Sequence, residues 1–246
     1  VQTGGGGISI TGIGGSGGTS NLSAGVRVGG LVSGPAPGGS LTIHGTGGSN
    51  GQAFPHGVEF LGANADAATS GGDISITGIA GDAGAGQAHG VNFTSGAGVN
   101  AGTGSVTLHG TGGAGTGSTV GVQVSATEVA GAGGIHITGA GGGGTGAGIN
   151  LPSIPSLVTT GGDITLHGTG STLGGAGIGY SGTIDAGGGD ISLTGISTGT
   201  VNSLHGIVRT AASTTTGTGT ISRSASTTGA LCATPATVGD STTATT

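Results

Sequence analysis

Ile74-Ser75-Ile76-Thr77-Gly78, followed after a glycine-rich stretch by Gly90-Val91-Asn92-Phe93, is the pair of segments from which the fold is read. The first alternates apolar and small polar residues with period two, which is strand chemistry, and the second does the same behind a glycine. Both recur. The other copies of the first are Ile8-Ser9-Ile10-Thr11-Gly12, Leu41-Thr42-Ile43-His44-Gly45, Val106-Thr107-Leu108-His109-Gly110, Ile135-His136-Ile137-Thr138-Gly139, Ile164-Thr165-Leu166-His167-Gly168 and Ile191-Ser192-Leu193-Thr194-Gly195. Successive copies are 33, 33, 32, 29, 29 and 27 residues apart, and a degraded eighth begins at Ile221. The second segment returns as Gly25-Val26-Arg27-Val28, Gly57-Val58-Glu59-Phe60, Gly121-Val122-Gln123-Val124, Gly148-Ile149-Asn150-Leu151, Gly177-Ile178-Gly179-Tyr180 and Gly206-Ile207-Val208-Arg209. A less regular third apolar spot precedes the next copy at Leu31, Val99, Val129, Val158 and Ile184.

A repeat of about 30 residues with two or three short strands has one economical solution. The few apolar side chains of a single unit do not offset the entropy of ordering its backbone, and glycine raises that cost. Stacking the units so that equivalent strands pair at about 4.8 Å satisfies the backbone and merges the apolar columns into one core. The expectation is an all-β fold, a parallel β-solenoid of about seven coils and roughly 34 Å long by that spacing. The solenoid is expected over residues 1–209, with a Ser/Thr-rich cap or tail over 210–246, where 19 of 37 residues are Ser or Thr.

Period two assigns the inward positions. The expected core is Ile8, Ile10, Val26, Val28, Leu41, Ile43, Val58, Phe60, Ile74, Ile76, Val91, Phe93, Val106, Leu108, Val122, Val124, Ile135, Ile137, Ile149, Leu151, Ile164, Leu166, Ile178, Tyr180, Ile191, Leu193 and Ile207. Phe60 and Phe93, on consecutive coils, are expected to stack. The glycine ahead of each second strand marks a corner that needs either positive φ or close backbone approach. The residue after each three-residue first strand alternates Thr11, His44, Thr77, His109, Thr138, His167, Thr194, which makes a two-coil module and suggests two ways of filling one corner. Arg209 and Arg223 stand where other coils are apolar, so the core is expected to end near 209 or these side chains to turn outward.

Composition excludes several functions. Gly and Pro make up about 30% of 246 residues, in a period that is not the every-third-residue pattern of collagen. Nine acids against three Arg, with no Lys, give a net charge of −6, too few cations to hold a phosphate backbone, so nucleic acid is excluded as a partner. No run of 18 apolar residues is present to span a bilayer, and no signal-peptide pattern opens the chain. The absence of Met points to a processed product or an excised segment. A lone Cys232 rules out an internal disulfide and has no histidine near it in sequence.

The polar residues that carry chemistry each have a structural alternative. His44, His109 and His167 recur on every second coil, about 10 Å apart, too far to share a zinc ion. His56 and His89, on consecutive coils, can approach each other, or serve as corner residues bonded to backbone. Asp73, Asp163 and Asp190 precede first strands in Gly-Gly-Asp-Ile, a placement that reads as turn chemistry before it reads as a glycosidase pair. No metal, cofactor or catalytic residue is expected. The outward column Ser9, Thr42, Ser75, Thr107, His136, Thr165, Ser192 forms a strip of small hydroxyls, a surface that binds ice or glycans and that a solvated sheet also favours.

Gly-Gly-Asp-Ile-Ser-Ile-Thr-Gly and Leu-Thr-Ile-His-Gly-Thr-Gly-Gly, each followed by Gly-Val-x-Val, resemble the repeat regions of filamentous-haemagglutinin-like adhesins and autotransporter passengers over residues 1–209. The resemblance implies a right-handed solenoid exported to the bacterial surface, and it carries over no functional residue. The characteristic N-terminal secretion domain and a membrane β-barrel are not part of this sequence. The expected function is therefore a structural, non-enzymatic extracellular solenoid that forms or extends a fibre, its partner being itself through head-to-tail stacking of unpaired coils. Two alternatives stay open: an adhesin that contacts glycans or a cell surface through the Thr/Ser/His face, and a polysaccharide-active β-helix enzyme, for which no clustered Asp and Arg are seen.

Overall fold

The computed structural model describes residues 6–227 except 18–21, 35–37, 50–53, 95, 126–127, 153–155, 200–204, 210–213 and 217–218. Cys232 and the rest of the tail lie outside the described residues. The chain winds through three parallel sheets; each of the first seven coils gives one strand to each, and an eighth adds β22 to the first. The first contains β1 (Ile8–Ile13), β4 (Leu41–Thr46), β7 (Ile74–Ile79), β10 (Val106–Thr111), β13 (Ile135–Ala140), β16 (Ile164–Thr169), β19 (Ile191–Ser197) and β22 (Ile221–Thr227), in that order. The second contains β2 (Val26–Val28), β5 (Val58–Phe60), β8 (Val91–Phe93), β11 (Val122–Val124), β14 (Ile149–Leu151), β17 (Ile178–Tyr180) and β20 (Ile207–Arg209). The third contains β3 (Val32–Ser33), β6 (Asp66–Ala68), β9 (Gly98–Asn100), β12 (Glu128–Ala130), β15 (Ser156–Val158), β18 (Thr183–Asp185) and β21 (Thr214–Thr216). Among the described residues there is no helix. The result is a β-solenoid.

Equivalent residues lie over one another. Ile8 pairs with Leu41, Leu41 with Ile74, and Ile74 with Val106. Of the residues assigned inward by period two, all but Ile10 and Ile207 are buried, and those two are partly buried and pack against the same core. The Phe60 and Phe93 rings stack with centroids 4.4 Å apart at 14°. The third column needs correction at two places. Leu31 is 49% exposed, and its neighbour Val32 turns inward instead. Val158 is only half-buried, whereas Leu157 is fully buried. Ala67 supplies this column in the second coil, a position too small to register as apolar in the sequence.

The first strands are also longer than three residues. They run for six or seven, so that the glycine of Ile-Thr-Gly lies within the strand and faces inward. The alternating Thr and His column consequently lies on the outer face of the first sheet and fills no corner. Backbone pairing continues past Arg209: β21 pairs with β18, and β22 with β19 along seven residues. In that last rung Arg223 takes the register position of Leu193, and Ala225 that of Gly195.

Close approach, and not positive φ, is what the corner glycines provide. A Cβ built on Gly12, Gly45, Gly78, Gly110, Gly139, Gly168 or Gly195 would lie 2.0–2.1 Å from the carbonyl oxygen of Gly25, Gly57, Gly90, Gly121, Gly148, Gly177 or Gly206 of the same coil. None of these glycines is among those with positive φ. Two columns of residues without side chains thus let the first and second sheets meet backbone to backbone. Gly45→Ala or Gly110→Ala is expected to lower stability in urea by about 3 kcal/mol, the upper part of the overpacking range. Gly30→Ala, where a Cβ meets nothing within 4 Å, is expected to be neutral or stabilising by up to about 1 kcal/mol.

Candidate functional site

Three groups of polar residues carry chemistry: the outer columns of the first sheet, a buried cluster at the second sheet, and the aspartates ahead of the first strands. The first sheet presents the column Ser9, Thr42, Ser75, Thr107, His136, Thr165, Ser192 in register, beside the column Thr11, His44, Thr77, His109, Thr138, His167, Thr194. Each histidine of the second column is separated from the next by a threonine rung, so no two of them meet. A third column contains Ile13, 81% exposed, and Ile79, 42% exposed. This face is an ordered array of hydroxyls and imidazoles open to water.

The second sheet places His56 and His89 just ahead of β5 and β8, where strand pairing brings them together. Their rings stack with centroids 5.0 Å apart at 14°, and the Phe54 ring lies 6.0 Å from that of His56, tilted at 47°. The backbone N–H of His89 donates to His56 Nδ1 at 3.0 Å, and the N–H of Val120 donates to His89 Nδ1 at 3.2 Å. Each imidazole therefore stands in for a carbonyl, accepting an amide from the next coil. Nδ1 must stay unprotonated to do so. Burial lowers His56 to a pKa of about 4, helped by the Arg27 charge, and lowers His89 to about 3, helped by His56. The backbone-bonded corner reading of these residues describes their geometry, with stacking added.

Sequence reasoning missed Glu59. As the middle residue of Val-Glu-Phe it should face water, yet it is 6% exposed. Its Oε2 lies 3.1 Å from Arg27 Nε of the coil below, and its Oε1 lies 3.8 Å from His56 Nε2. Burial pushes this carboxyl above the usual range, and the Arg27 guanidinium pulls it back. The signal was present in the register: Arg27 and Glu59 occupy the same place in successive units. Farther along, Asn150 Nδ2 donates to Gln123 Oε1 at 2.9 Å, continuing a polar ladder on this face.

The aspartates of Gly-Gly-Asp-Ile do not turn back on their own backbone. Asp73 Oδ1 accepts from the N–H and Oγ of Ser105, both at 2.8 Å, which holds its carboxyl below the ordinary value. Asp163 Oδ1 accepts the N–H of Asp190 at 2.8 Å, and Asp190 Oδ1 accepts the N–H of Thr220 at 2.6 Å. These are bonds between coils, made just where the next first strand begins. Among the described residues, no three of His, Cys, Asp or Glu converge as metal ligands. Comparison with protein-family models, curated proteins and solved structures finds no match.

The buried imidazoles set a pH dependence. Folded His56 and His89 stay neutral down to about pH 4 and about pH 3, whereas in the unfolded chain both protonate near 6.5. The unfolded state takes up protons first, so stability is present above pH 6.5 and is lost as the pH falls. The expected slope is about 1.4 kcal/mol per pH unit for each histidine. Glu59 acts in the opposite direction at the acidic end, because its raised folded pKa favours the protonated folded form. Urea midpoints at pH 7, 5.5 and 4.5 check the slope. Replacing both histidines by Leu should flatten it, while costing about 1–3 kcal/mol for each amide left without an acceptor.

Proposed function

We propose that this chain is a structural, non-enzymatic segment of an extracellular bacterial fibre, a rod lengthened by stacking further coils on its strand edges. The observation that carries this reading is the character of the N-terminal edge. Among the described residues β1 has a single lateral partner, β4, and its apolar column is less completely buried than that of the interior coils. Ile8 is 6% exposed and Ile10 half-buried, against 0% for Leu41 and Ile43. Ile8 N donates to Ser40 O, so by strand alternation the amides of Ser9 and Thr11 face the outer edge. Such an edge accepts another strand of the same kind.

The other end is different. Arg209 stands in register with Tyr180 and Arg223 with Leu193, so a second copy stacked there would set its Ile10 over Arg223. Each head-to-tail junction joins the N-terminal edge of one copy to this end of the next, so Arg209 and Arg223 weaken every junction and keep the rods short. The likeness of the repeat to surface adhesins and passengers supports the location. A second reading, adhesion to glycans or a cell surface, draws on the open hydroxyl and imidazole columns of the first sheet.

The test is assembly of the purified chain, followed by electron microscopy and sedimentation velocity. The chain as given should form short end-to-end rods at high concentration. Arg209→Val with Arg223→Leu should lengthen them, and Thr11→Pro, which removes an edge donor without touching the β1–β4 pairing, should abolish them. Single rods only, in the double variant as well, would overturn the fibre reading.

A further inference from the structure

The nine acids of the chain divide by task. Glu59 faces Arg27; Asp73, Asp163 and Asp190 hold amides of the following coil; Asp82 and Asp185 close turns on the N–H groups of Gly84 and Gly187. Asp240 lies outside the described residues. Asp66 and Glu128 remain, and neither carboxylate takes a hydrogen bond or ion pair among the described residues. They are also brought together by register: Asp66 pairs with Gly98, and Gly98 with Glu128. Two carboxylates thus flank a rung without a side chain, rooted about 9.6 Å apart by strand spacing.

The missing side chain leaves a groove of about 340 Å³ across the outer face of the third sheet. Gly98 and Ala68 line it together with Leu31 from the first coil and Glu128 from the fourth. Asp66 Oδ1 already leans over the gap, 3.2 Å from where a Gly98 Cβ would lie. We propose that this groove docks an extended segment of another protein through an arginine side chain, whose guanidinium lies over Gly98 between Asp66 and Glu128.

Charge selects the occupant. The groove has two carboxylates and no cation in its lining. The chain offers no arginine of its own for the role in a second copy, because Arg27 is engaged by Glu59, and Arg209 and Arg223 have interactions within their own chain. A guanidinium is favoured over an ammonium because its donors fan out in a plane and bridge acceptors on two sides. Its aliphatic stem has Leu31 and Ala68 to rest on. The inference is independent of the fibre reading, since it needs only one folded rod.

The probe is an acetylated, amidated Gly-Ser-Arg-Ser-Gly peptide, with citrulline in place of Arg as the neutral isostere, titrated into the full chain and followed by NMR. The amides of Gly98 and Ala68 should shift with the Arg peptide and stay still with the citrulline one. Asp66→Asn and Glu128→Gln should each weaken binding about three- to fivefold, in keeping with half-exposed charge pairs. Gly98→Val, which fills the gap on a position that suits a strand, should abolish it. Asp82→Asn makes the same charge change elsewhere and keeps its turn acceptor, so it should bind as the parent does; melting curves verify that each variant is folded. Equal weakening by Asp82→Asn, no shift at Gly98, or equal binding of the citrulline peptide would overturn the proposal. So would a neutral oligosaccharide that shifts the same amides more strongly.

Discussion

Everything in this molecule depends on how closely two backbone columns approach. The glycines that close each first-strand motif stand where a Cβ would meet a carbonyl oxygen at 2.0–2.1 Å, and those that open each second strand where it would meet backbone atoms at 2.3–2.5 Å. With those side chains absent, the first and second sheets close on each other, and Ile, Leu and Val fill the remaining width. The core is therefore thin, and it needs nothing larger than the stacked Phe60 and Phe93 at its widest rungs. A chain with glycine at more than a quarter of its positions is ordinarily poor in core. Here the glycines define the core's shape, because the solenoid repeats one cross-section and each glycine column serves every coil.

A cross-section repeated along an axis leaves most hydrogen bonds between coils, and side chains are recruited to complete them. His56 and His89 accept amides through Nδ1, Asp73, Asp163 and Asp190 accept them through Oδ1, and Thr94 Oγ1 accepts from Gly62 at 2.9 Å. In each case the partner lies about one coil away in sequence. These polar residues would look catalytic if considered singly, since buried histidines and paired carboxylates are the material of active sites. Their common task is to continue the ladder where the backbone bends.

Repetition explains what the sequence made legible and what it did not. Register, inward columns and the Phe60–Phe93 stack follow from phase alone, because a fixed period leaves one way to stack seven like segments. The third column was read poorly because Leu31 and Val32, or Leu157 and Val158, are adjacent apolar residues, and period two does not choose between neighbours in so short a strand. The length of the first strands was underestimated because glycine normally ends a strand, whereas here it continues one inside a close contact. Glu59 was read as exposed because alternation says which side of a sheet a residue occupies and nothing about what covers that side. The aspartates were read as local turns because the partner of each, roughly a coil away in the chain, is adjacent only after stacking.

The same repetition accounts for the chain's low charge. In a register of like units, any charged position stands about 4.8 Å from its own copies, and like charges opposite one another on paired strands are destabilising. Two unit charges at that range cost roughly 1 kcal/mol even in water. Most of the charges that are kept avoid this cost, and the one like-charged neighbour pair among the described residues, Asp163 and Asp190, has an amide between its carboxylates. Arg27 is followed by Glu59, of opposite sign, and Asp66 is separated from Glu128 by Gly98. Asp163 and Asp190, on neighbouring coils, are bridged by the amide of Asp190 itself. The alternation of Thr and His along the first sheet likewise separates like side chains. A threonine rung between His44, His109 and His167 keeps their imidazoles two strand spacings apart. The two-coil module thus gives the bulkier ring a small neighbour above and below, a separation that stacking identical units would deny it.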